Sequence, residues 1–299
     1  MNTRTASLPP LRPEDLWSRT LDTTRHGLAT GALQPISTES RLLEDQGVAF
    51  QVRTLGRAHL KDERAKREPP RAQPFNPFEH PDPDLVVGPL TPTHVCLLNK
   101  FNVVEHHLLI VTRVFEEQES LLNAADFEAL ALAMSGLDGL GFYNSGEAAG
   151  ASQRHKHLQL IPPLGPGLAR VPMEALLAGP LAPDRVVTVP ALGFGHAAVG
   201  LEPWSHEPAR DGARMLAAYQ GLLVAAGWGD SLPPYNLLTT RDWMMLVPRA
   251  CAEVHGINVN AMGFGGSLLV KTPEQRERLE QMGPMALLRQ VTQPVPGGR

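Results

Sequence analysis

Alternating apolar and polar residues near the middle of the chain predict a strand with one polar face. Residues 155–161 have the sequence HKHLQLI, and two prolines follow directly. Successive side chains of a strand point to opposite faces, so His155, His157 and Gln159 share one face. The prolines end the strand because they cannot continue its hydrogen-bonding ladder. The pattern therefore directs two imidazoles and one amide toward a single site.

Apolar spacing elsewhere predicts the elements around this strand. Helical spacing predicts an amphipathic helix opening at Pro13 and a second helix from Asn123 to about Leu140, with Asn123 as its N-cap. Strand-like runs cover residues 48–53, 93–99 and 107–112. The last two runs are joined by a short polar link, so we expect them to pair antiparallel, with the second helix packed on the sheet. This combination predicts an α+β fold.

The second half of the chain repeats part of the same pattern. Residues 235–249 again form two apolar runs with a polar link, and the sequence of residues 246–249 resembles that of residues 110–113. Residues 257–267 are rich in glycine but contain no paired histidines. The repetition favours a degenerate duplication in which one half kept the chemistry. Chance likeness between strand-loop-strand patterns is the alternative at this point.

Composition narrows the functional classes. The 299 residues can bury a large core, as one elaborate domain or as two fused halves. A net charge of -4 and a pI near 6.3 argue against a general nucleic-acid binder, which needs a basic surface. Cys96 and Cys251 are far apart and form no metal or disulfide spacing, which fits a cytoplasmic protein. The chain shows no signal-peptide pattern and no membrane-spanning run, so we expect neither secretion nor a membrane partner.

The residues of the polar face suit chemistry at phosphorus. A neutral imidazole attacks phosphorus and forms a labile N–P bond, and a neighbouring amide donates to a phosphoryl oxygen without repelling its charge. Small, hydrogen-bonding residues lead into the strand at positions 143–146 and 150–153, and such a run can form a cradle for an anion. Taken alone, the paired histidines also fit metal ligation or structural packing, and the glycines also fit an ordinary turn.

Taken together, these stretches resemble the diadenosine tetraphosphate phosphorylases, or ATP adenylyltransferases, of the histidine-triad and galactose-1-phosphate uridylyltransferase superfamily. The resemblance rests on residues 99–103, 107–113, 143–146 and 150–159. It implies an α+β fold with a histidine-triad-like antiparallel sheet, flanking helices and two fused related halves. Residues 1–183 would form the N-terminal catalytic region and residues 184–299 the C-terminal ATP adenylyltransferase region, packed together as one globular unit.

The resemblance also implies roles for individual residues. His157 would be the catalytic nucleophile, and Gln159 replaces the third histidine of the triad. The implied substrate-binding residues are Lys61, Asn99, Lys100, Asn144, Gly150, Ala151, Ser152, Gln153, His155, Gln159, Asn258, Asn260 and Lys271. No metal ligands and no covalently bound cofactor are expected, although Mg²⁺ can accompany the nucleotide. Where the superfamily often has Pro-Gly, residues 104–106 precede His107 here, and we expect His107 to be a structural hydrogen-bonding residue.

A polyphosphate substrate requires a local basic site in this acidic chain. The candidate basic residues are Lys61, Lys100, Arg113, Arg154, Lys156 and Lys271. The expected partners are a dinucleoside polyphosphate, ATP, ADP and phosphate, and the two halves favour a monomer.

The implied reaction is phosphorolysis of diadenosine tetraphosphate to ATP and ADP through an AMP-histidine intermediate. Three alternatives remain open from the sequence: hydrolysis with water as the acceptor, uridylyl transfer to a sugar phosphate, and a nucleotide-binding module without turnover. The identity of the products distinguishes among them.

Overall fold

The computed structural model describes residues 8–56, 76–164, 171–177, 179, 181–228 and 233–294. Lys61, one of the predicted substrate-binding residues, lies outside them. The strands are β1 (Thr38–Asp45), β2 (Val48–Leu55), β3 (Val86–Pro89), β4 (His94–Leu98), β5 (Leu108–Thr112), β6 (Leu140–Ser145), β7 (His157–Ile161), β8 (Ala197–Gly200), β9 (Tyr235–Thr239), β10 (Trp243–Pro248), β11 (Glu253–Val254), β12 (Ile257–Asn258) and β13 (Ser267–Val270). The α-helices are α1 (Pro13–Thr30), α2 (Ala124–Gly136), α3 (Glu174–Leu177), α4 (Pro208–Ala225), α5 (Ala261–Gly265), α6 (Pro273–Met282) and α7 (Pro284–Gln290).

An eight-stranded sheet in the order β3-β4-β5-β7-β6-β9-β10-β8 forms the centre of the fold. Its neighbouring strands are all antiparallel. The predicted pairing of β4 with β5 is confirmed, and residues 235–249 supply the paired strands β9 and β10. A smaller sheet has the order β1-β2-β13, in which β13 runs parallel to β2, and β11 pairs with β12. The α+β prediction with an antiparallel sheet is confirmed.

The two faces of the large sheet are covered by different elements. Helices α1, α2 and α4 pack together on one face, where Leu158 and Leu160 lie in the apolar core. The second apolar core includes Phe142 and Ile161 and extends to the small sheet and the C-terminal helices. Because side chains alternate along β7, His157 and Gln159 point away from the helical layer, as the sequence predicts.

Two predicted boundaries differ from the observed ones. Strand β7 begins at His157, and His155 forms only an isolated bridge with Glu117. The N-cap at Asn123 is confirmed, but α2 ends at Gly136 and not near Leu140. The helix ends there because Leu137 has an extended backbone (φ -139°, ψ 111°), and Leu140 already begins β6. At Gly139 the chain lies close to the end of β7, since an added Cβ atom would be 2.0 Å from the carbonyl oxygen of Ile161.

The second half does not repeat the first throughout. Residues 257–267 form β12, α5 and the start of β13, and β13 joins the small sheet. These residues therefore do not lie in the large sheet beside β9 and β10. Strands from both sides of the predicted division at 183/184 share the large sheet, since β6 pairs with β9. None of the helices in the described part of the chain is long and apolar enough to cross a bilayer.

Candidate active site

A cavity of about 1660 Å³ collects most of the predicted site residues. Its volume exceeds the roughly 300–1,000 Å³ that is typical of small-molecule pockets, so it has room for an elongated ligand. The predicted residues that line it are Asn99, Lys100, Asn144, Gly150, Ala151, Ser152, Gln153, His157, Gln159, Asn258, Asn260 and Lys271. Segments distant in the sequence, from both halves of the chain, therefore meet at one site.

His157 presents one ring nitrogen to this cavity. Its Nδ1 lies 2.8 Å from the carbonyl oxygen of His155, and because a carbonyl only accepts, Nδ1 carries the proton. Among the described residues, Nε2 has no hydrogen-bond partner, so its lone pair is free. Burial lowers the pKa of His157 to about 4, and the ring is therefore neutral at pH 7. These are the properties of a nucleophile aimed into the cavity.

Gln159 is oriented by a chain of hydrogen bonds behind it. Asn99 Nδ2 donates to His107 Nδ1 at 3.3 Å, and His107 Nε2 donates to Gln159 Oε1 at 2.8 Å. The Gln159 amide nitrogen is thereby left to face the cavity, since its oxygen is occupied. Burial lowers the pKa of His107 to about 4, which keeps this ring in the neutral form that can both accept and donate. His107 is the hydrogen-bonding residue that the sequence predicts.

His155 lies behind the cavity and does not line it. Asn76 Nδ2 donates to His155 Nδ1 at 3.0 Å, and His155 Nε2 donates to the carbonyl oxygen of Thr112 at 2.8 Å. Both ring nitrogens are therefore occupied by protein groups. The contact of His155 that reaches the site is its backbone carbonyl, which accepts from the ring of His157. A direct substrate contact of His155 stays a prediction.

The glycine-rich loop, residues 146–153 between β6 and β7, is held by residues of the second half. Asn236 Nδ2 donates to Asn144 Oδ1 and to the carbonyl oxygen of Ala149, both at 2.8 Å. Arg249 is fully buried, and its guanidinium donates to Asn236 Oδ1 at 2.6 Å and to the carbonyl oxygens of Ala149 and Val259. The same guanidinium thus ties the glycine-rich loop to the segment that contains Asn258 and Asn260.

Sequence reasoning did not assign Asn236 or Arg249 to the site. A signal for Asn236 was present, because the dipeptide Tyr-Asn occurs at 143–144 and again at 235–236. In the structure these dipeptides lie on the paired strands β6 and β9, with Asn144 opposite Asn236. Arg249 could have been noticed because residues 246–249 resemble residues 110–113. That resemblance does not show that the side chain of Arg249 is buried.

The candidate basic residues separate into two groups. Lys100, Arg113 and Lys271 line the cavity, together with Arg53, which the sequence did not indicate. Arg154 is exposed and pairs with Glu117 at 2.6 Å. Lys156 is wrong as a member of the basic site, because it is fully buried and its Nζ lies 2.7 Å from Asp126 Oδ2. That position follows from the alternation of β7, which turns Lys156 away from His157.

Few of the described residues that line the cavity carry carboxylates. Two carboxylates, Glu79 and Asp82, line it. Within the described ranges no group of three or more His, Cys, Asp or Glu side chains could hold a metal ion.

Two family models match adjacent parts of the chain. The model of the Ap4A phosphorylase N-terminal domain matches residues 6–179, where Ap4A is diadenosine tetraphosphate. The model of the ATP adenylyltransferase C-terminal domain matches residues 190–294. The two matches together include the segments that line the cavity.

Individual relatives give the same result. Diadenosine 5',5'''-P1,P4-tetraphosphate phosphorylase 2 of Saccharomyces cerevisiae is 30% identical, over 84% of this chain and 86% of its own. The crystal structure of yeast Ap4A phosphorylase Apa2 superposes with a TM-score of 0.80 at 26% identity, covering 97% of this chain and 98% of the yeast chain. Its complex with Ap4A also gives a TM-score of 0.80, at 27% identity and coverage of 95% and 99%.

Proposed function

This chain belongs to the diadenosine tetraphosphate phosphorylase family and is a nucleotidyltransferase, and we propose that it transfers AMP from diadenosine tetraphosphate to inorganic phosphate through a covalent intermediate on His157. The net reaction converts one diadenosine tetraphosphate and one phosphate into one ATP and one ADP. The observation that carries the proposal is the state of His157: a neutral ring with Nδ1 protonated and with Nε2 free at the cavity.

In the first step, the lone pair of His157 Nε2 attacks the α-phosphorus of one adenosine. An N–P bond forms, the bond from phosphorus to the bridging oxygen breaks, and ATP leaves. The proton on Nδ1 remains hydrogen-bonded to the carbonyl oxygen of His155, so the adenylylated ring becomes a cation. A cationic imidazole is a good leaving group, which prepares the second step.

In the second step, an oxygen of inorganic phosphate attacks the same phosphorus. A P–O bond forms, the N–P bond breaks, ADP is released and His157 returns to its neutral state. The amide nitrogen of Gln159 would donate to a non-bridging oxygen of the α-phosphate, where negative charge is concentrated during both steps. The cations Lys100, Arg113 and Lys271 would bind the remaining phosphates.

The glycine-rich loop and the second half would hold the nucleotide. Asn144, Ser152 and Asn260 line the cavity with polar side chains, and Gly150, which also lines it, would permit close approach of the nucleotide to the backbone. A relative with the same fold was crystallised with Ap4A bound, which supports a dinucleotide as the ligand of a cavity this large.

The direct test is incubation with diadenosine tetraphosphate and ³²P-labelled phosphate, followed by separation of the nucleotides. We expect label in the β-phosphate of ADP and none in ATP, because the phosphate becomes attached to the α-phosphorus. His157→Ala should abolish turnover, while His206→Ala, a change at an exposed histidine, serves as the matched control.

A second experiment looks for the intermediate itself. With diadenosine tetraphosphate and no phosphate, mass spectrometry should show the protein heavier by one AMP group, and His157→Ala should lack this adduct. Free AMP produced without phosphate would instead identify a hydrolase. Normal turnover by His157→Ala would remove this residue from the mechanism.

We propose that any Mg²⁺ enters the site bound to the phosphates of the substrate. Among the described residues the cavity is lined by two carboxylates, and Mg²⁺ commonly binds through one or two carboxylates and substrate phosphates. Isothermal titration should therefore show Mg²⁺ binding only when a nucleotide is present. Tight binding of Mg²⁺ to the protein alone would contradict this proposal.

We also propose that the enzyme acts as a monomer. Both halves of one chain contribute residues to the cavity, which supports a site formed within a single chain. Light scattering coupled to gel filtration should give the mass of one chain, and a dimer that loses activity on dilution would contradict it.

A further inference from the structure

Strands β6 and β7 separate beside the nucleophile. Their pairing runs from Leu140 opposite Ile161 to Phe142 opposite Gln159 and ends there. Continued by two residues, this register would place Asn144 opposite His157. Both residues line the cavity, so the two strands part where the substrate would bind. The backbone groups at this position need other partners, because buried peptide groups are almost always hydrogen-bonded.

The side-chain amide of Gln118 supplies those partners. Its Oε1 accepts from the backbone N–H of His157 at 2.9 Å. Its Nε2 donates to the carbonyl oxygen of His157 at 3.2 Å and to the carbonyl oxygen of Asn144 at 2.9 Å. One amide thus bridges the two strands where their own hydrogen bonds stop.

Gln118 is itself rigidly held. Its side chain is buried, its backbone N–H donates to the carbonyl oxygen of Arg154 at 2.7 Å, and its carbonyl oxygen accepts from the hydroxyl of Tyr143. It lies in the segment between β5 and α2, outside every regular element. A buried amide fixed at both its backbone and its side chain can transmit a defined geometry to the groups it contacts.

We propose that Gln118 is a positioning residue for the transfer reaction, because its amide sets the spacing between His157 and Asn144. The inference rests on the proposed function, since it assigns His157 as the group to be positioned. Gln118 is not among the residues that line the cavity. It acts through the backbone of His157. Its hydrogen bonds to the backbones of Asn144 and His157 fix the distance between β6 and β7 at this point.

Only an amide satisfies this arrangement. One end must accept from an N–H group and the other must donate to two carbonyl oxygens. In Gln118→Glu, the second carboxylate oxygen would face both carbonyls and repel them. In Gln118→Met, the volume is nearly kept but the hydrogen bonds are lost, so the strands would be free to shift. Displacement of a reacting group by about 1 Å can cost roughly 100-fold in rate.

The experiment compares kcat and KM for diadenosine tetraphosphate in the wild type, Gln118→Met and Gln118→Glu. We expect kcat to fall by about 10- to 100-fold in both variants while KM changes by less than about threefold, because the groups lining the cavity remain. Asp211→Ala is the matched control: Asp211 is a buried residue of α4 that accepts hydrogen bonds from Ser205. This variant should lose thermal stability and keep its kcat.

The outcomes separate the two proposals. Wild-type turnover with an unchanged kcat in Gln118→Met would overturn the positioning role and leave the proposed function standing. A fall in kcat in Asp211→Ala equal to that in Gln118→Met would also overturn it, since stability alone would then explain the loss. A wild type that does not turn over would overturn both proposals. If Gln118→Met does not fold, Gln118→Glu decides the question. A folded Gln118→Glu with an unchanged kcat overturns the inference, and a folded Gln118→Glu with a reduced kcat supports it.

Discussion

His107 donates a hydrogen bond from Nε2 to Oε1 of Gln159 at 2.8 Å, and this bond decides which end of the glutamine amide faces the cavity. An amide that is free to rotate could present its oxygen to a phosphate and repel it. Because Asn99 donates to the other nitrogen of His107, the ring cannot exchange its donor and acceptor without losing a hydrogen bond. The three residues therefore behave as one unit with a single donating end.

The first prediction follows from that unit. Removal of the Gln159 amide in Gln159→Leu should lower kcat by about 100-fold, within the range found for the loss of one donor to a developing negative charge. His107→Leu should lower kcat by about 10-fold or more, because Gln159 remains but is no longer oriented. The double variant should be no worse than Gln159→Leu, since residues that act as a unit are not additive. Multiplying losses in the double variant would show that His107 acts independently.

The second prediction concerns the acid side of the pH profile. Burial lowers the pKa of His157 to about 4. Protonation of Nε2 removes the lone pair, so the rate should fall as the pH drops through about 4 and stay flat between pH 5 and pH 8. The measurement is the burst of ATP in the absence of phosphate, which isolates the first step from the titration of phosphate itself. A midpoint near 6.5, the ordinary value for histidine, would show that the ring is not desolvated.

The sequence predicted the orientation of His157 correctly for a simple reason. The twofold period of a strand does not depend on tertiary context, so HKHLQLI divides into a site face and a core face wherever the strand lies. The same period places Lys156 in the core, although its charge alone suggests a phosphate ligand. Its two nearest carboxylates, Asp126 and Glu116, come from outside this strand, and no local pattern shows that they compensate its charge.

The third prediction uses Gly150. Its φ of +90° lies in the left-handed region, and an added Cβ atom would sit 2.9 Å from Asn260 Cβ and 3.0 Å from the carbonyl oxygen of Val259. Gly150→Ala should therefore push the glycine-rich loop away from Asn260 and raise KM for the dinucleotide by about tenfold, which corresponds to about 1.4 kcal/mol. Initial rates over a range of substrate concentrations provide the measurement.

Gly31→Ala is the matched control for Gly150→Ala. Gly31 has a φ of +77°, and nothing lies within 4 Å of its added Cβ atom. Each variant should lose about 1–2 kcal/mol of stability from the left-handed backbone. Only Gly150→Ala should change KM. An equal KM in both variants would show that the close approach of the two loops does not determine nucleotide binding.

The parts of the site that the sequence did not predict are held by backbone atoms. Gln118 and Arg249 make most of their hydrogen bonds to carbonyl groups, which every residue has and no sequence pattern marks. Gln118 also lies in a segment without helical or strand periodicity. By contrast, Asn144 and the glycine-rich loop lie close to β7 in the sequence. Local chemistry was predictable, and the supports that come from distant segments were not.

The last prediction tests one of those supports. Arg249 is buried, its pKa is lowered by burial to about 10, and it remains charged at pH 7. Its guanidinium donates to five acceptors, which are Asn236 Oδ1 and the carbonyl oxygens of Ala149, Cys251, Val259 and Val291. Arg249→Met would leave these acceptors without their donor. Since each unsatisfied buried group costs about 1–3 kcal/mol, we expect a loss of at least about 3 kcal/mol in the free energy of unfolding by urea.

Arg289→Met, a change at an exposed arginine of α7, is the control, and its free energy of unfolding should stay within about 0.5 kcal/mol of the wild-type value. If Arg249→Met also loses no more than about 0.5 kcal/mol, water replaces the guanidinium. The glycine-rich loop and the segment that contains Asn258 and Asn260 would then keep their positions without Arg249.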